Sequence, residues 1–216
     1  MYKHVIKRLI DIVCSLAGIV IAGIPMIVVA IIIWCEDPGS AIFTQKRVGE
    51  KKRGEISYFK LYKFRSMKTS TPHDIPTHQL ENPEQYLLKS GKFIRKYSID
   101  ELPQLFNIFK GDMTIIGPRP ALWNQADLIA EREKYEANDC RPGLTGWAQI
   151  NGRDELEIPV KAKFDGEYAA KLNQGGFKAF VFDCRCFFGT FFKVFRAEGV
   201  VEGGTGEMKK AAEKKA

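Results

Sequence analysis

Residues Ile12–Cys35, IVCSLAGIVIAGIPMIVVAIIIWC, are 24 consecutive positions without a charge, bounded by Asp11 on one side and Glu36-Asp37 on the other. A run of that length meets the roughly 20 apolar residues a helix needs to cross a bilayer. It exceeds the apolar core of about 7–15 residues of a cleaved signal peptide, and it leads into Trp34-Cys35-Glu36 without a small-x-small cleavage site. The run therefore stays in the mature chain and puts the protein at a membrane. Two topologies remain open. A transmembrane helix kinked at Pro25 satisfies the length, but Lys3, Lys7 and Arg8 precede the run and Lys46, Arg47, Lys51, Lys52 and Arg53 follow it, so the positive-inside bias claims both flanks for the cytoplasm. Pro25 leaves 13 uncharged residues before it and 10 after it, which as helix are limbs of roughly 15–20 Å against a hydrocarbon core of about 30 Å. Limbs that short favour a re-entrant hairpin. Pro25 removes one backbone donor there, and Ser15, Gly18 and Gly23 are small positions where the freed groups can be met.

Outward from this segment, 216 residues with 45% hydrophobic and 27% charged content exclude a disordered or collagen-like chain. The excess of 33 Lys+Arg over 26 Asp+Glu gives a net charge of +7 and points to an anionic partner, whether phospholipid, nucleotide or nucleic acid. Five cysteines without secreted-type spacing point to free thiols in a reducing compartment.

Ala41–Lys46 and Ile56–Arg65, rich in Ile, Phe, Tyr and Thr, predict a β-hairpin closed by the basic loop Gly49–Gly54. Ser70–Pro83, with three prolines, His73 and His78, reads as a loop. Helices are expected over Tyr86–Arg95, Leu102–Phe109, Leu122–Tyr135 and Val160–Leu172, the third as a surface helix, and Gly117–Pro120 and Arg141–Gly146 as fixed turns. Phe177–Phe195 holds eight of the fifteen phenylalanines, interleaved with Lys178, Arg185 and Lys193. That composition suits a helix in the headgroup layer, with a soluble core helix as the alternative. Lys209–Ala216, with four lysines and one glutamate, reads as a solvated tail.

The chemistry concentrates in two places. Lys46–Lys68 carries nine Lys/Arg against two Glu, a local +7 equal to that of the whole chain, and is the natural anion-binding segment. Ser98-Ile99-Asp100-Glu101-Leu102-Pro103 reads either as a capping box from Ser98 to Glu101 or as a helix capped by Asp100, which would put Pro103 in the tolerated first turn. Both readings set Asp100 near a helix N-terminus, where the dipole favours an ionised carboxylate able to attack phosphorus. Glu101, about 100° away if helical, could hold a metal. Arg119, fixed between Pro118 and Pro120, presents a planar two-pronged donor suited to phosphate oxygens, and Arg95 and Lys63 are candidates for the same anion. P-loop, dinucleotide-fold, serine-hydrolase and zincin motifs are absent, and Cys184-Arg185-Cys186 lacks a second ligand pair for a metal.

Three blocks resemble the bacterial sugar transferases, the monotopic phosphoglycosyl transferases: Lys63-Phe64-Arg65-Ser66-Met67; Ser98-Ile99-Asp100-Glu101-Leu102-Pro103-Gln104-Leu105 running on through Asn107–Met113 to Gly117-Pro118-Arg119-Pro120; and Arg141–Arg153. The likeness extends from the apolar segment to about Phe195 and is to the small form, in which nothing precedes the membrane helix. It implies transfer of a sugar 1-phosphate from a UDP-sugar to polyprenyl phosphate, with release of UMP and with Mg²⁺ as cofactor. It implies Asp100 as the nucleophile, Glu101 as the magnesium ligand, and Lys63, Arg95 and Arg119 as phosphate-binding cations, with Arg65 and Arg141 as further candidates. Ile99, Tyr97 and the Phe-rich segment depart from the family pattern and bear on sugar choice and docking.

The expected architecture is a helix-rich α+β single compact domain on the cytoplasmic face of a bacterial inner membrane. It would comprise a re-entrant membrane helix (1–36), a catalytic domain (37–200) with a small β-hairpin and interfacial amphipathic helices, and a flexible basic tail (201–216). Its expected partners are the donor, the lipid acceptor and the bilayer rather than nucleic acid, with a homo-oligomer open. The rival readings are a direct glycosyltransferase releasing UDP and a membrane-anchored nucleic-acid-binding protein.

Overall fold

The computed structural model describes residues 1–71, 83–152 and 156–195. His73 and His78, Arg153 and the tail from 201 onwards lie outside the described residues. The uncharged run becomes one α-helix, α1 (Lys7–Glu36), entered through a π-helical turn at Tyr2–Ile6 and continuous through Pro25. Thirty residues of helix span about 45 Å. Its polarity is inverted relative to a soluble helix: the buried face carries Lys7, Asp11, Ser15, Met26 and Ile33, while Leu9, Val13, Val20, Ile24, Ile27, Ile31 and Trp34 are exposed. An aliphatic face left to the solvent side, with ionic groups turned inward, is what a lipid-contacting helix presents.

Both ends of α1 are tied to the same globular body. Near the N-terminus, Lys7 Nζ meets Asp183 at 2.6 Å, Arg8 donates to the carbonyls of Ile108 and Phe109 at 2.6 and 2.8 Å, and Asp11 accepts from Thr114 Oγ1 and the Ile115 amide, each at 2.9 Å. At the other end, Glu36 accepts from the Ser90 amide at 3.0 Å, and Asp37 takes two donors from Arg65 and the Thr69 amide at 2.7 Å.

The hairpin comprises β1 (Ile42–Lys52) and β2 (Glu55–Phe64), antiparallel, with Ile42 opposite Phe64 and a bulge between Val48 and Lys51. The connection is therefore shorter than the sequence suggested. Arg53 and Gly54, both at positive φ (54° and 84°), make the whole turn, the backbone signature of a tight two-residue hairpin. Gly49–Lys52, read as loop, belong to β1, with Gly49 and Glu50 in the bulge and Lys51 and Lys52 paired with Ile56 and Glu55. Among the other elements, α2 (Gly91–Lys96) is shorter than expected, because Leu87 bridges to Met67 and interrupts the helix predicted from Tyr86. α3 (Gln104–Lys110) begins after Pro103, which sits at the N-cap where its lacking N–H costs nothing.

Two short parallel strands, β3 (Thr114–Ile116) and β4 (Gly143–Thr145), were not anticipated. They bring the two turn motifs together: the Gly117 amide donates to Thr145 O at 2.7 Å and the Gly143 amide to Pro118 O at 2.8 Å. A Cβ on Gly143 would lie 2.1 Å from the Gly117 nitrogen, so only glycine permits this approach. The remaining helices are α4 (Ala126–Glu133), α5 (Trp147–Ile150), α6 (Ile158–Gln174) and α7 (Gly176–Phe195). α7 buries Ala179, Asp183 and Cys186 and exposes Phe177, Phe180, Val181, Phe187 and Phe188, an apolar stripe at helical spacing on the side away from the core. The result is a helix-rich α+β domain with one long apolar N-terminal helix and a small antiparallel hairpin. All five thiols are free.

Candidate active site

Ser98 decides how the acidic pair is presented. The chain leaves α2 through Ser98 in the left-handed region (φ 54°), where its amide closes onto the Arg95 carbonyl at 3.0 Å, and it enters a single 3₁₀ turn, Ile99–Glu101. Ser98 is thus the terminating residue of α2, as at many helix C-termini, and its side chain makes no capping bond to the following turn. Neither capping reading of the sequence holds. In a 3₁₀ turn residues three apart eclipse, so Ile99 and Leu102 share one side, and both pack against the cluster of Met26, Ile33, Phe64, Leu88 and Ile94. The acidic pair is thereby seated against α1.

Asp100 and Glu101 are both about nine-tenths buried, each 8% exposed, and converge on one cation: Lys63 Nζ lies 3.5 Å from Asp100 Oδ2 and 3.4 Å from Glu101 Oε1. The two carboxylates therefore do not diverge as a regular helix would have them. Arg119 Nη2 donates to the same Glu101 Oε1 at 2.6 Å. Arg95 donates from Nε to Ser66 Oγ at 2.9 Å, and its charge, with that of Arg119, is felt at Asp100. Burial pushes the Asp100 carboxyl above the ordinary carboxylate range; Lys63 opposes that shift and Glu101 adds to it. The expected helix-dipole lowering is outweighed because a three-residue turn offers little dipole and burial is the largest influence.

Four of the anticipated cation and acid positions, Lys63, Arg119, Asp100 and Glu101, meet through direct contacts, with Arg95 close enough to act on Asp100. Arg65 is placed elsewhere: its guanidinium donates to the Asp37 carboxylate and backbone and, from Nε, to Ser40 O at 2.8 Å, holding the exit of α1. Arg141 faces Glu50 at 3.6 Å and lines a separate small cleft with Lys3, His4 and Arg8. Pro25 lies inside α1.

Some residues that build the site carry no signal in the sequence. Asn107, fully buried in α3, accepts from the Tyr62 amide at 2.9 Å and donates to Lys60 O at 2.8 Å, so it grips the backbone of β2 beside Lys63. Gln104, in the first turn of α3 and 2% exposed, keeps an amide nitrogen without a partner among the described residues. Arg132, expected on a surface helix, is buried.

The arrangement can bind and polarise phosphates around a carboxylate. It agrees with what the chain is similar to. The family model for bacterial sugar transferase matches residues 2–197. The galactosyl transferase CpsE of Streptococcus agalactiae is 40% identical over 185 residues, covering 77% of this chain and 38% of that protein. The undecaprenyl-phosphate galactose phosphotransferase of Salmonella typhimurium is 35% identical over 177 residues, covering 76% and 36%. The sugar transferase EpsL of Bacillus subtilis, itself uncharacterized, is 33% identical over 196 residues, covering 91% and 90%. The chain thus spans well under half the length of the first two relatives and nearly all of the third. It belongs to the bacterial sugar transferase family.

Proposed function

We propose that the chain transfers a sugar 1-phosphate from a UDP-sugar to polyprenyl phosphate, giving polyprenyl-diphosphate-sugar and UMP, through a covalent aspartyl intermediate. The observation that carries this reading is the unequal engagement of two adjacent buried carboxylates. Glu101 is held by Arg119 at 2.6 Å, whereas among the described residues the nearest cation to Asp100 is Lys63 at 3.5 Å. Asp100 is the less committed of the pair and is the group able to attack.

In the first step an Asp100 carboxylate oxygen bonds to the phosphorus that carries the sugar, the bond from that phosphorus to the bridging oxygen breaks, and UMP leaves with the electron pair. In the second, a phosphate oxygen of the lipid attacks the same phosphorus and the aspartyl bond breaks, returning the carboxylate. Two anions must approach each other in each step. Lys63, Arg95 and Arg119 lower that barrier by neutralising phosphate charge around a site little exposed to water.

Magnesium suits this donor set. Mg²⁺ is commonly held by one or two carboxylates together with substrate phosphate oxygens. Glu101 beside Asp100 offers that pattern, while among the described residues no group of three or more His, Cys, Asp or Glu forms a closed cage. Glu101 would be the ligand, and the bound ion would withdraw charge from the phosphates.

The membrane topology follows the same reading. The body that bonds to Lys7, Arg8 and Asp11 at one end of α1 also bonds to Glu36 and Asp37 at the other, which supports a helix whose two ends lie on the same side of the bilayer. We therefore read α1 as re-entrant, entering and leaving on the cytoplasmic face of the inner membrane, with the exposed stripe of α7 in the headgroup layer. Incubation with polyprenyl phosphate and a panel of UDP-sugars tests the proposal. Release of UMP supports it, and release of UDP would assign direct glycosyl transfer instead.

A further inference from the structure

Behind Arg119 stands an ion pair that touches neither carboxylate. Arg132 on α4 is 4% exposed and Asp165 on α6 is 1% exposed. Arg132 donates from Nε and Nη2 to a single oxygen, Asp165 Oδ2, at 2.8 and 2.6 Å, and the same Nη2 donates to the backbone carbonyl of Arg119 at 2.9 Å. On the other side of the turn, Arg47 Nη1 donates to Pro120 O at 3.0 Å and the Val48 amide to Ala121 O at 3.0 Å. The turn that aims Arg119 is thus gripped at three successive carbonyls, 119, 120 and 121, by groups from α4 and β1.

We propose that the Asp165–Arg132 pair is a positioning device for the Arg119 guanidinium, acting on catalysis only through that residue. A buried ion pair is a poor source of net stability, since desolvating two charges offsets most of their attraction. Burial indeed pushes the Asp165 carboxyl upward against the pull of Arg132. Asp165 Oδ1 makes no hydrogen bond among the described residues, so the carboxylate is used at one oxygen only, the one that orients Arg132. Two prolines restrict φ at 118 and 120 but leave the plane of the 119–120 peptide to be set by its carbonyl, and that carbonyl is where Arg132 binds. A displacement of about 1 Å in a phosphate clamp is enough to cost on the order of 100-fold in rate.

The inference rests on the phosphate-binding role given to Arg119 above, and a double-mutant cycle separates the two. The full chain, purified in lipid nanodiscs, is assayed for UMP release as Arg119→Ala, Arg132→Lys, Asp165→Asn and the combinations with Arg119→Ala. Arg132→Lys keeps the charge and can keep the contact to Asp165, but one ammonium cannot hold Oδ2 and the Arg119 carbonyl in the fork geometry. It should unfold within a few degrees of the parent yet lose roughly tenfold or more in kcat/KM. In the Arg119→Ala background, Arg132→Lys and Asp165→Asn should each cost less than about twofold further. Multiplying losses would assign the pair a general structural role and overturn the inference, as would a folded Arg132→Lys enzyme with parental kcat/KM while Arg119→Ala is impaired. Full activity of Arg119→Ala would overturn the role of Arg119 itself, and this inference with it.

Discussion

Arg119 Nη2 lies 2.6 Å from Glu101 Oε1, so the guanidinium held between two prolines is paired with the carboxylate next to the proposed nucleophile. Lysine at 119 would retain a charge without the planar fork that reaches Glu101 and a phosphate together. Arg119→Lys should lower kcat/KM roughly tenfold or more, about the 1.4 kcal/mol of one charge-assisted hydrogen bond. Steady-state UMP release measures it, and near-parental activity would make Arg119 an ordinary turn residue.

Asp100 combines burial with an upward-shifted carboxyl, and the sign of its effect on stability follows. The folded state retains a proton that the unfolded chain has already released, so the contribution of Asp100 is present in acid and is lost as pH rises through the raised folded value. Asparagine is neutral throughout. Asp100→Asn should therefore match the parent in thermal stability at acid pH and exceed it at mildly alkaline pH in metal-free buffer. A variant less stable than the parent at alkaline pH would contradict this. For the same reason, the acid limb of kcat/KM should lie above the ordinary carboxylate range, because the proposed nucleophile must be ionised.

Asn107 holds β2 against α3 through the Tyr62 amide and the Lys60 carbonyl, setting the distance from Lys63 to the acidic pair. Asn107→Ala takes the partner from both part-buried backbone groups and empties a buried position, and the loss should be about 2–4 kcal/mol. Urea unfolding in detergent micelles checks the value; a change below about 0.5 kcal/mol, typical of a surface substitution, would refute the clamp.

Topology is accessible by cysteine labelling. Burial pushes the Cys140 and Cys186 thiols up to about 12, so they do not compete for a thiolate reagent. With Cys14, Cys35 and Cys184 replaced by Ser, probes at Lys3→Cys and Lys52→Cys should both be unreactive from outside intact spheroplasts and reactive after lysis. Labelling of position 3 from outside would mean that α1 spans. Adding Pro25→Ala restores the backbone donor and removes the ring's clash with the carbonyl a turn earlier, and should let a fraction of molecules do so.

The extent to which this fold is legible in the sequence depends on how local its causes are. The long uncharged run, the hairpin and α6 follow from patterns within each segment. β3 and β4 do not, because each is three residues long and exists only where Gly117 and Gly143 let two distant turns touch. Ser98 misleads for a related reason: Ser98-x-x-Glu101 has the spacing of a capping box, but the left-handed backbone that ends α2 takes the residue for another purpose. At the site, charge type and proline rigidity point to Lys63, Arg95, Asp100, Glu101 and Arg119. Arg65 carries the same local signal, yet Asp37 at the exit of α1 claims it. Asn107 and the Arg132–Asp165 pair have no local signal, because their roles lie in contacts to backbone far along the chain.

Intact-protein mass spectrometry after mixing the enzyme with UDP-sugar alone detects or excludes the covalent aspartyl intermediate. A mass increase equal to one sugar phosphate is predicted, mapped by peptide analysis to Asp100, released by polyprenyl phosphate and absent in Asp100→Asn. An adduct on another residue, or turnover by Asp100→Asn at the parental rate, would contradict the mechanism even though the chain remains a bacterial sugar transferase.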